Sequence, residues 1–320
     1  MISNIRIHNY RGLRNISVSV APLTVLIGPN NSGKTSFLRA IERAAQVVSN
    51  PHVRISPEDH WRGNLQAPVS MQIDVCTINE LATHPGQGIY AKNGTSPQFV
   101  PVSFFRLPYD VKMTATGFVE SQGISEARLG ASGENVAAMA DYMLRRSRAN
   151  FDAMEAEARQ LIPGLQSLSV STPTAQSRRL DLVMEEGWEM PADNASSGVR
   201  LLLFFLALTH RPEPPRTILI EEPENGIHPV RLEAIMKMLI RLTDRADGPQ
   251  VILSTHSPYL LDHLTLDRHR VLVFSRNSEG GCTAREVDAE RLKPFLEEFM
   301  LGEVWINQGE NELIDEASGA

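Results

Sequence analysis

One glycine loop, Gly28-Pro29-Asn30-Asn31-Ser32-Gly33-Lys34-Thr35, constrains this chain more than any other stretch. A nearly continuous apolar run, Leu23-Thr24-Val25-Leu26-Ile27, leads into it, and Ser36-Phe37-Leu38-Arg39-Ala40-Ile41 reads as the start of a helix. A buried strand, a loop with the spacing Gly-x₄-Gly-Lys-Thr and a helix form the context in which such a loop wraps phosphate. The glycines let backbone N–H groups curl around phosphate oxygens, and the helix N-terminus adds its positive end. The pattern implies that Lys34 reaches the β- and γ-phosphates of ATP and that the Thr35 hydroxyl ligates Mg²⁺. Gly28, Asn30, Asn31, Ser32, Gly33 and Ser36 complete the expected nucleotide cradle.

Three downstream segments gain meaning from that loop. Thr217-Ile218-Leu219-Ile220-Glu221-Glu222-Pro223-Glu224 is a short apolar strand ending in two adjacent carboxylates. Successive strand residues point oppositely, so the two acids take different roles. Glu221 suits the Mg²⁺ shell, and Glu222 suits polarising an attacking water. Val251-Ile252-Leu253-Ser254-Thr255-His256-Ser257-Pro258 is another buried strand. It delivers His256 to its carboxyl end, where ligands of open α/β sheets sit, and His256 there suits a hydrogen bond to the γ-phosphate. Asn194-Ala195-Ser196-Ser197-Gly198-Val199-Arg200 opens a strongly apolar helix running to Leu208. Ser197 and Gly198 at such a helix start suit a second phosphate-binding device, although the same residues taken alone are a helix cap.

Around these motifs the periodicity predicts strands at 5–7, 16–20, 23–27 and 69–75, the last antiparallel, and a loop or hairpin excursion over 79–100. A helical stretch from about Ser125 to Ile162 stops at Pro163-Gly164. Strands at 165–170 and 180–184 follow, then strands at 217–220, 251–254 and 270–274, with a helix from Val230 to Leu242 between the first two of these. The fold class is α/β, a P-loop lobe with a mixed sheet interrupted by an inserted helical lobe. Residues 1–109 and 196–320 form the nucleotide-binding lobe in this reading, and 110–195 the insertion.

Composition narrows the setting. Lys plus Arg total 31 against 38 Asp plus Glu, so the net charge of −7 argues against broad coating of nucleic acid. Arg145, Arg146, Arg148 and Arg159 are the densest basic stretch and read as a solvated helix face. The longest apolar run is about half the ~20 residues a membrane-spanning helix needs, and the N-terminus lacks the layout of a secretion signal. Two cysteines, Cys76 and Cys282, are too few for a disulfide framework, which fits a reducing cytoplasm.

The order P-loop, Ser-Ser-Gly helix, Glu-Glu strand, His strand resembles that of ABC-type ATPases. The four segments look like Walker A, signature, Walker B and switch histidine. The resemblance is closest to the RecF/OLD-like branch, related to chromosome-maintenance and DNA-repair ATPases. Ile5-Arg6-Ile7-His8-Asn9-Tyr10-Arg11-Gly12-Leu13 is similar to that branch's first strand and aromatic-Arg turn. Glu221-Glu222-Pro223-Glu224-Asn225-Gly226-Ile227-His228-Pro229 is similar to its Walker B and D-loop run. Phe104-Phe105-Arg106-Leu107-Pro108 looks like the Arg-bearing segment near the Q-loop, with Gln72 and Gln122 as alternative Q-loop residues, and Gly133-Glu134-Asn135 resembles the start of the inserted lobe.

The resemblance implies a homodimer in which two chains, head to tail, sandwich two ATPs, with Ser197 and Gly198 of each completing the other's site. It implies ATP hydrolysis coupled to a separate effector protein in DNA repair or antiviral defence, or, alternatively, a RecF-like ATPase that binds DNA ends or junctions directly. No membrane partner is implied. OLD nucleases continue into a metal-binding Toprim domain opened by an apolar strand and a Glu-Gly pair. Val304-Trp305-Ile306-Asn307-Gln308-Gly309-Glu310 resembles that opening only weakly, with Gln308 before the glycine, and no catalytic Toprim is expected here.

Overall fold

The computed structural model describes residues 1–49, 55–75, 81–82, 90–91, 102–108, 111–116, 128–225, 227–310 and 313–314. Cys76, Gln122, Gly226 and most of the 79–100 excursion lie outside them.

The chain opens with a hairpin, β1 (Ile2–Tyr10) and β2 (Leu13–Ser19), whose turn is Arg11-Gly12 with Arg11 at φ 49°. A wholly buried β3 (Leu23–Ile27) leads to α1 (Lys34–Ser49). Next come β4 (Ser70–Val75), β5 (Leu81–Ala82), β6 (Tyr90–Ala91), β7 (Val102–Arg106) and β8 (Thr114–Thr116). Two helices follow, α2 (Val136–Arg146) and α3 (Arg148–Leu161), then β9 (Leu165–Ser171), β10 (Ser177–Met184) and β11 (Glu189–Pro191). The apolar α4 (Ser197–His210) precedes β12 (Thr217–Glu221), α5 (Pro229–Thr243) and β13 (Gln250–Ser254). A short α6 (Pro258–Leu261), β14 (Arg270–Arg276), β15 (Cys282–Glu286), α7 (Ala289–Leu296) and α8 (Leu301–Gln308) close the order.

Two compact units divide these elements. The first holds residues 1–104, 215–221 and 246–320. Its six-stranded sheet runs β15-β14-β3-β13-β12-β7, with β14, β3, β13 and β12 mutually parallel and β15 antiparallel to β14. Its second sheet, β2-β1-β4-β5-β6, is antiparallel, which includes the antiparallel placement expected for 69–75. Helix α1 lies in the shared core. Its Phe37, Leu38 and Ile41 pack with Ile5, Ile7 and Met71 from one sheet and with Leu26, Leu219, Ile252 and Leu272 from the other. The mixed α/β architecture expected from the sequence is present.

The second unit holds residues 105–214 and 222–245, and so takes in α4 and α5 as well as the stretch expected to be inserted. Strand β10 has β9 along one edge and β8, then β11, along the other. Helix α2 packs on β10 and α3 on β9, while α4 packs against α2, α3 and α5. Phe204 of α4 meets Phe105 and Phe205 edge to face at centroid distances of 5.2 and 5.4 Å. Glu157 of α3 accepts from His210 Nε2 at 2.7 Å and from Arg241, tying α3, α4 and α5 together. Asp141 of α2 pairs with buried Arg178 of β10 at 3.1 Å.

Two expectations change. Ser125 lies outside the described residues, 128–135 are not helical, and Ser147, at φ −146° and ψ 59°, breaks the helix that starts at Val136 in two. The apolar Val304-Trp305-Ile306 is helical, because Glu303 Oε2 accepts from Met300 N–H at 2.9 Å and starts α8. The basic stretch lies on helix surfaces, with Arg145, Arg148 and Arg159 paired to Asp141, Asp152 and Glu155 one turn away. No helix among the described residues is long and apolar enough to cross a membrane.

Candidate functional site

The glycine loop joins the carboxyl end of β3 to α1, so it sits at the end of a parallel sheet. Three residues take positive φ, Gly28 at 134°, Asn31 at 65° and Gly33 at 107°. A side chain at Gly28 would collide with the carbonyl oxygen of Phe274 in β14. One at Gly33 would come within 2.9 Å of Cys282 Sγ in β15. The loop therefore lies flush against these two strands, and glycine is needed for space as well as for backbone conformation.

Lys34 is buried, and its Nζ donates to the carbonyls of Gly28 at 2.7 Å and Pro29 at 3.0 Å. The ammonium is thus held inside the loop it follows. Thr35, in the first turn of α1, donates its hydroxyl to Glu221 Oε1. Asn30 and Asn31 are exposed at the rim, and Ser36 is half-buried. The Ser32 hydroxyl is buried and has no hydrogen-bond partner among the described residues.

Glu221 ends β12, buried, with Ser254 of β13 beside it in register. Glu222 follows at φ 47°, a left-handed conformation that costs a non-glycine residue about 1–3 kcal/mol. Asn225 holds it there, donating its side-chain amide to Glu222 Oε2 at 3.1 Å and its backbone N–H to the Glu222 carbonyl at 3.2 Å. Beyond β13, Thr255 N–H donates to the Leu26 carbonyl at 3.0 Å, and Thr255 Oγ1 accepts from Ser257 N–H at 2.9 Å. Those bonds fix the turn that leaves His256 exposed. The structure thus brings Lys34, Thr35 and Glu221 together and sets His256 at the end of a strand that pairs with both β3 and β12.

In the second unit, Ser196 caps α4, its Oγ accepting from Val199 N–H at 3.4 Å, so Ser197 and Gly198 are the first helical residues. Arg231 of α5 lies against Gly198, where an added Cβ would stand 3.3 Å from its Nη1. Arg106 is exposed at the end of β7, and Gln72 of β4 accepts from Arg6 at 3.3 Å.

The aromatic-Arg turn has an anchor that the sequence did not disclose. Arg11 Nε donates to Asp59 Oδ1 at 2.8 Å, and Arg43 of α1 reaches Oδ2 at 3.4 Å. Burial pushes the Asp59 carboxyl up, but hydrogen bonds from Arg11 and Ser56 outweigh it and hold the group below the usual carboxylate range. Tyr10 is pushed up to about 12, chiefly by burial and then by the Asp59 charge. Asp59 lies in the run Ser56-Pro57-Glu58-Asp59, which reads only as a turn signal. In the sequence Cys282 is merely one of two cysteines. Its thiol, pushed up by burial, backs Gly33, a contact between residues far apart in sequence.

A phosphate-binding loop between a parallel strand and a helix, with a strand-end acid bonded to the loop's threonine, defines a P-loop ATPase. A family model described as "AAA domain, putative AbiEii toxin, Type IV TA system" matches residues 119–262, and one described as "AAA ATPase domain" matches residues 1–68. An OLD nuclease of Thermus scotoductus is 22% identical over 359 residues, covering 94% of this chain and 68% of the nuclease. The SMC head domain from Pyrococcus furiosus, solved bound to the C-terminal domain of ScpA, matches with a TM-score of 0.61 at 12% identity. That match covers 93% of this chain and 98% of the other. The SMC head domain from Thermotoga maritima matches with a TM-score of 0.52, again at 12% identity, over 90% of this chain and 99% of that one. These solved structures share the fold. The chain is a P-loop ATPase with the fold of the SMC heads and sequence similarity to an OLD nuclease.

Proposed function

We propose that this ATPase is a nucleotide-driven switch. Two copies associate head to tail around two ATP–Mg²⁺ molecules, hydrolysis releases them, and a separate effector protein in antiviral defence or DNA repair reads the change. The observation that carries the catalytic part is the bond from the Thr35 hydroxyl to Glu221 beside the buried Lys34. A hydroxyl and a carboxylate at the mouth of a P-loop are the oxygen pair that Mg²⁺ takes alongside nucleotide phosphates. The cradle also fits the nucleotide. Its glycines leave no room behind the loop, and Ser32 holds a buried hydroxyl still lacking a partner among the described residues.

Each residue then has a task. Lys34 moves from the Gly28 and Pro29 carbonyls to the β- and γ-phosphates. The loop from Gly28 to Ser36 wraps the phosphate chain, and Thr35 and Glu221 hold the cation, which when bound neutralises charge on the phosphate oxygens. Glu222 orients the attacking water and accepts its proton. Its strained backbone supports this assignment, since such strain persists where the surroundings over-determine a geometry. His256 donates to the γ-phosphate. Ser197 and Gly198, on the N-terminal turn of α4, meet the γ-phosphate held by the other copy.

The effector reading draws on the relatives. One matched family is described by a toxin of a Type IV TA system, and the curated relative is a nuclease. A solved head of the same fold carries a bound domain of a separate protein.

Turnover tests the core of the reading. Lys34→Ala should abolish ATP binding, whereas Glu222→Gln should keep binding and lose about 10²–10⁴ in hydrolysis rate. Hydrolysis by Glu222→Gln at the parent rate would show that the acid assignment is wrong.

A further inference from the structure

Ser254 is the last residue of β13, buried to 1% exposure, and its hydroxyl has no hydrogen-bond partner among the described residues. Its place is more informative than its burial. In the parallel sheet it is in register with Glu221 of β12 on one side and Leu26 of β3 on the other. Side chains alternate along a strand, so Ser254 shares a face with Ile252 and Glu221 shares a face with Leu219. Ile252, Leu219 and Leu26 all pack into the core that contains α1. Ser254 and Glu221 therefore stand on the α1 face of adjacent strands, about 4.8 Å apart at the backbone. Thr35, at the start of α1, is already bonded to Glu221. A polar group kept buried without a partner at such a point needs a ligand to satisfy it.

We propose that Ser254 is a positioning residue of the cation site, its hydroxyl accepting a hydrogen bond from a water molecule of the Mg²⁺ shell held by Thr35 and Glu221. The proposal rests on the cation-site reading above. Mg²⁺ keeps several of its waters when protein-bound, and those waters need acceptors. Ser254 supplies one without adding a charge beside Glu221.

The test is a Mn²⁺ titration followed by electron paramagnetic resonance, on the full chain with a non-hydrolysable ATP analogue, together with the melting temperature of the nucleotide-free protein. Ser254→Ala should weaken Mn²⁺ binding about tenfold and leave the nucleotide-free melting temperature unchanged or higher, since it removes an unsatisfied buried group. Ser254→Cys, which fills nearly the same space with a weak hydrogen-bonding group, should lose affinity likewise. Parent-like Mn²⁺ affinity in Ser254→Ala overturns the proposal, including the case in which only its melting temperature falls, which assigns the hydroxyl to packing. Parent-like affinity in Ser254→Cys overturns it too, because shape then suffices. Glu221→Gln separates the two levels. If it weakens Mn²⁺ binding while the Ser254 variants do not, this inference alone fails; if Glu221→Gln also binds like the parent, the cation-site reading fails with it.

Discussion

Gly33 carries two independent demands, a φ of 107° and a backbone pressed against Cys282 and Leu13. Gly33→Ala meets both penalties, and strain of that kind costs on the order of 1–3 kcal/mol. Urea unfolding should show a loss of at least that order, with ATP affinity falling in parallel; parent-like stability would mean the loop relaxes freely. Glu221→Gln keeps the shape but removes a charge from the proposed cation site. It should raise the Mg²⁺ concentration needed for ATP binding, which a titration by fluorescent-nucleotide displacement reads directly. A loss of hydrolysis with an unchanged Mg²⁺ requirement would mean that Glu221 and Glu222 have exchanged roles. Lys34, Thr35 and Glu221 were legible in the sequence because their spacing and strand context demand one chemistry. Asp59 and Ser254 were not. A lone acid in a turn and a serine inside a motif acquire meaning only when the fold brings Arg11, Arg43 and Glu221 beside them.

At the scale of elements, Glu157 is the joint of the second unit, accepting from His210 on α4 and Arg241 on α5. Burial pushes its carboxyl up, but those two hydrogen bonds outweigh it and hold the group below the ordinary carboxylate value. A carboxyl ionised more readily in the folded than in the unfolded chain adds stability above its unfolded value, and that stability is lost as pH falls through its folded value. Unfolding free energy measured from pH 7 down through the carboxylate range should therefore decline, and Glu157→Gln should flatten that decline. An identical pH profile in the variant would contradict the role given to the joint. The ion pair of Asp141 with Arg178 should behave differently, because removing one partner strands a buried charge. Asp141→Ala should cost on the order of 3 kcal/mol by chemical denaturation. Strands β1 to β4, β9, β10 and β12 to β14 were readable from periods of two and from buried runs, whereas the short β7, β8 and β11 were not. Nor was the break at Ser147, since helix-forming residues flank it and only its backbone angles reveal it. Strand β15 was missed because Cys282-Thr283-Ala284-Arg285-Glu286 offers too little apolar alternation.

Across the whole molecule, motif order revealed the ATPase class, whereas the division into units was hidden. Residues 222–245 group with 105–214 although β12 and β13 flank them in sequence, and helix periodicity says only that α5 has a buried face, not what covers it. The switch itself is the claim on which the functional account turns. It places the N-terminal turn of α4, led by Ser197 and Gly198, on the γ-phosphate of a second copy, so association must need that phosphate. Light scattering on Glu222→Gln, which binds ATP without consuming it, tests this most directly. The account predicts a dimer in ATP, a monomer in ADP, and a monomer in ATP when Ser197→Arg is added with ATP binding retained. An oligomer that forms without nucleotide and ignores Ser197→Arg would contradict it, leaving Ser197 and Gly198 as nothing more than a helix start.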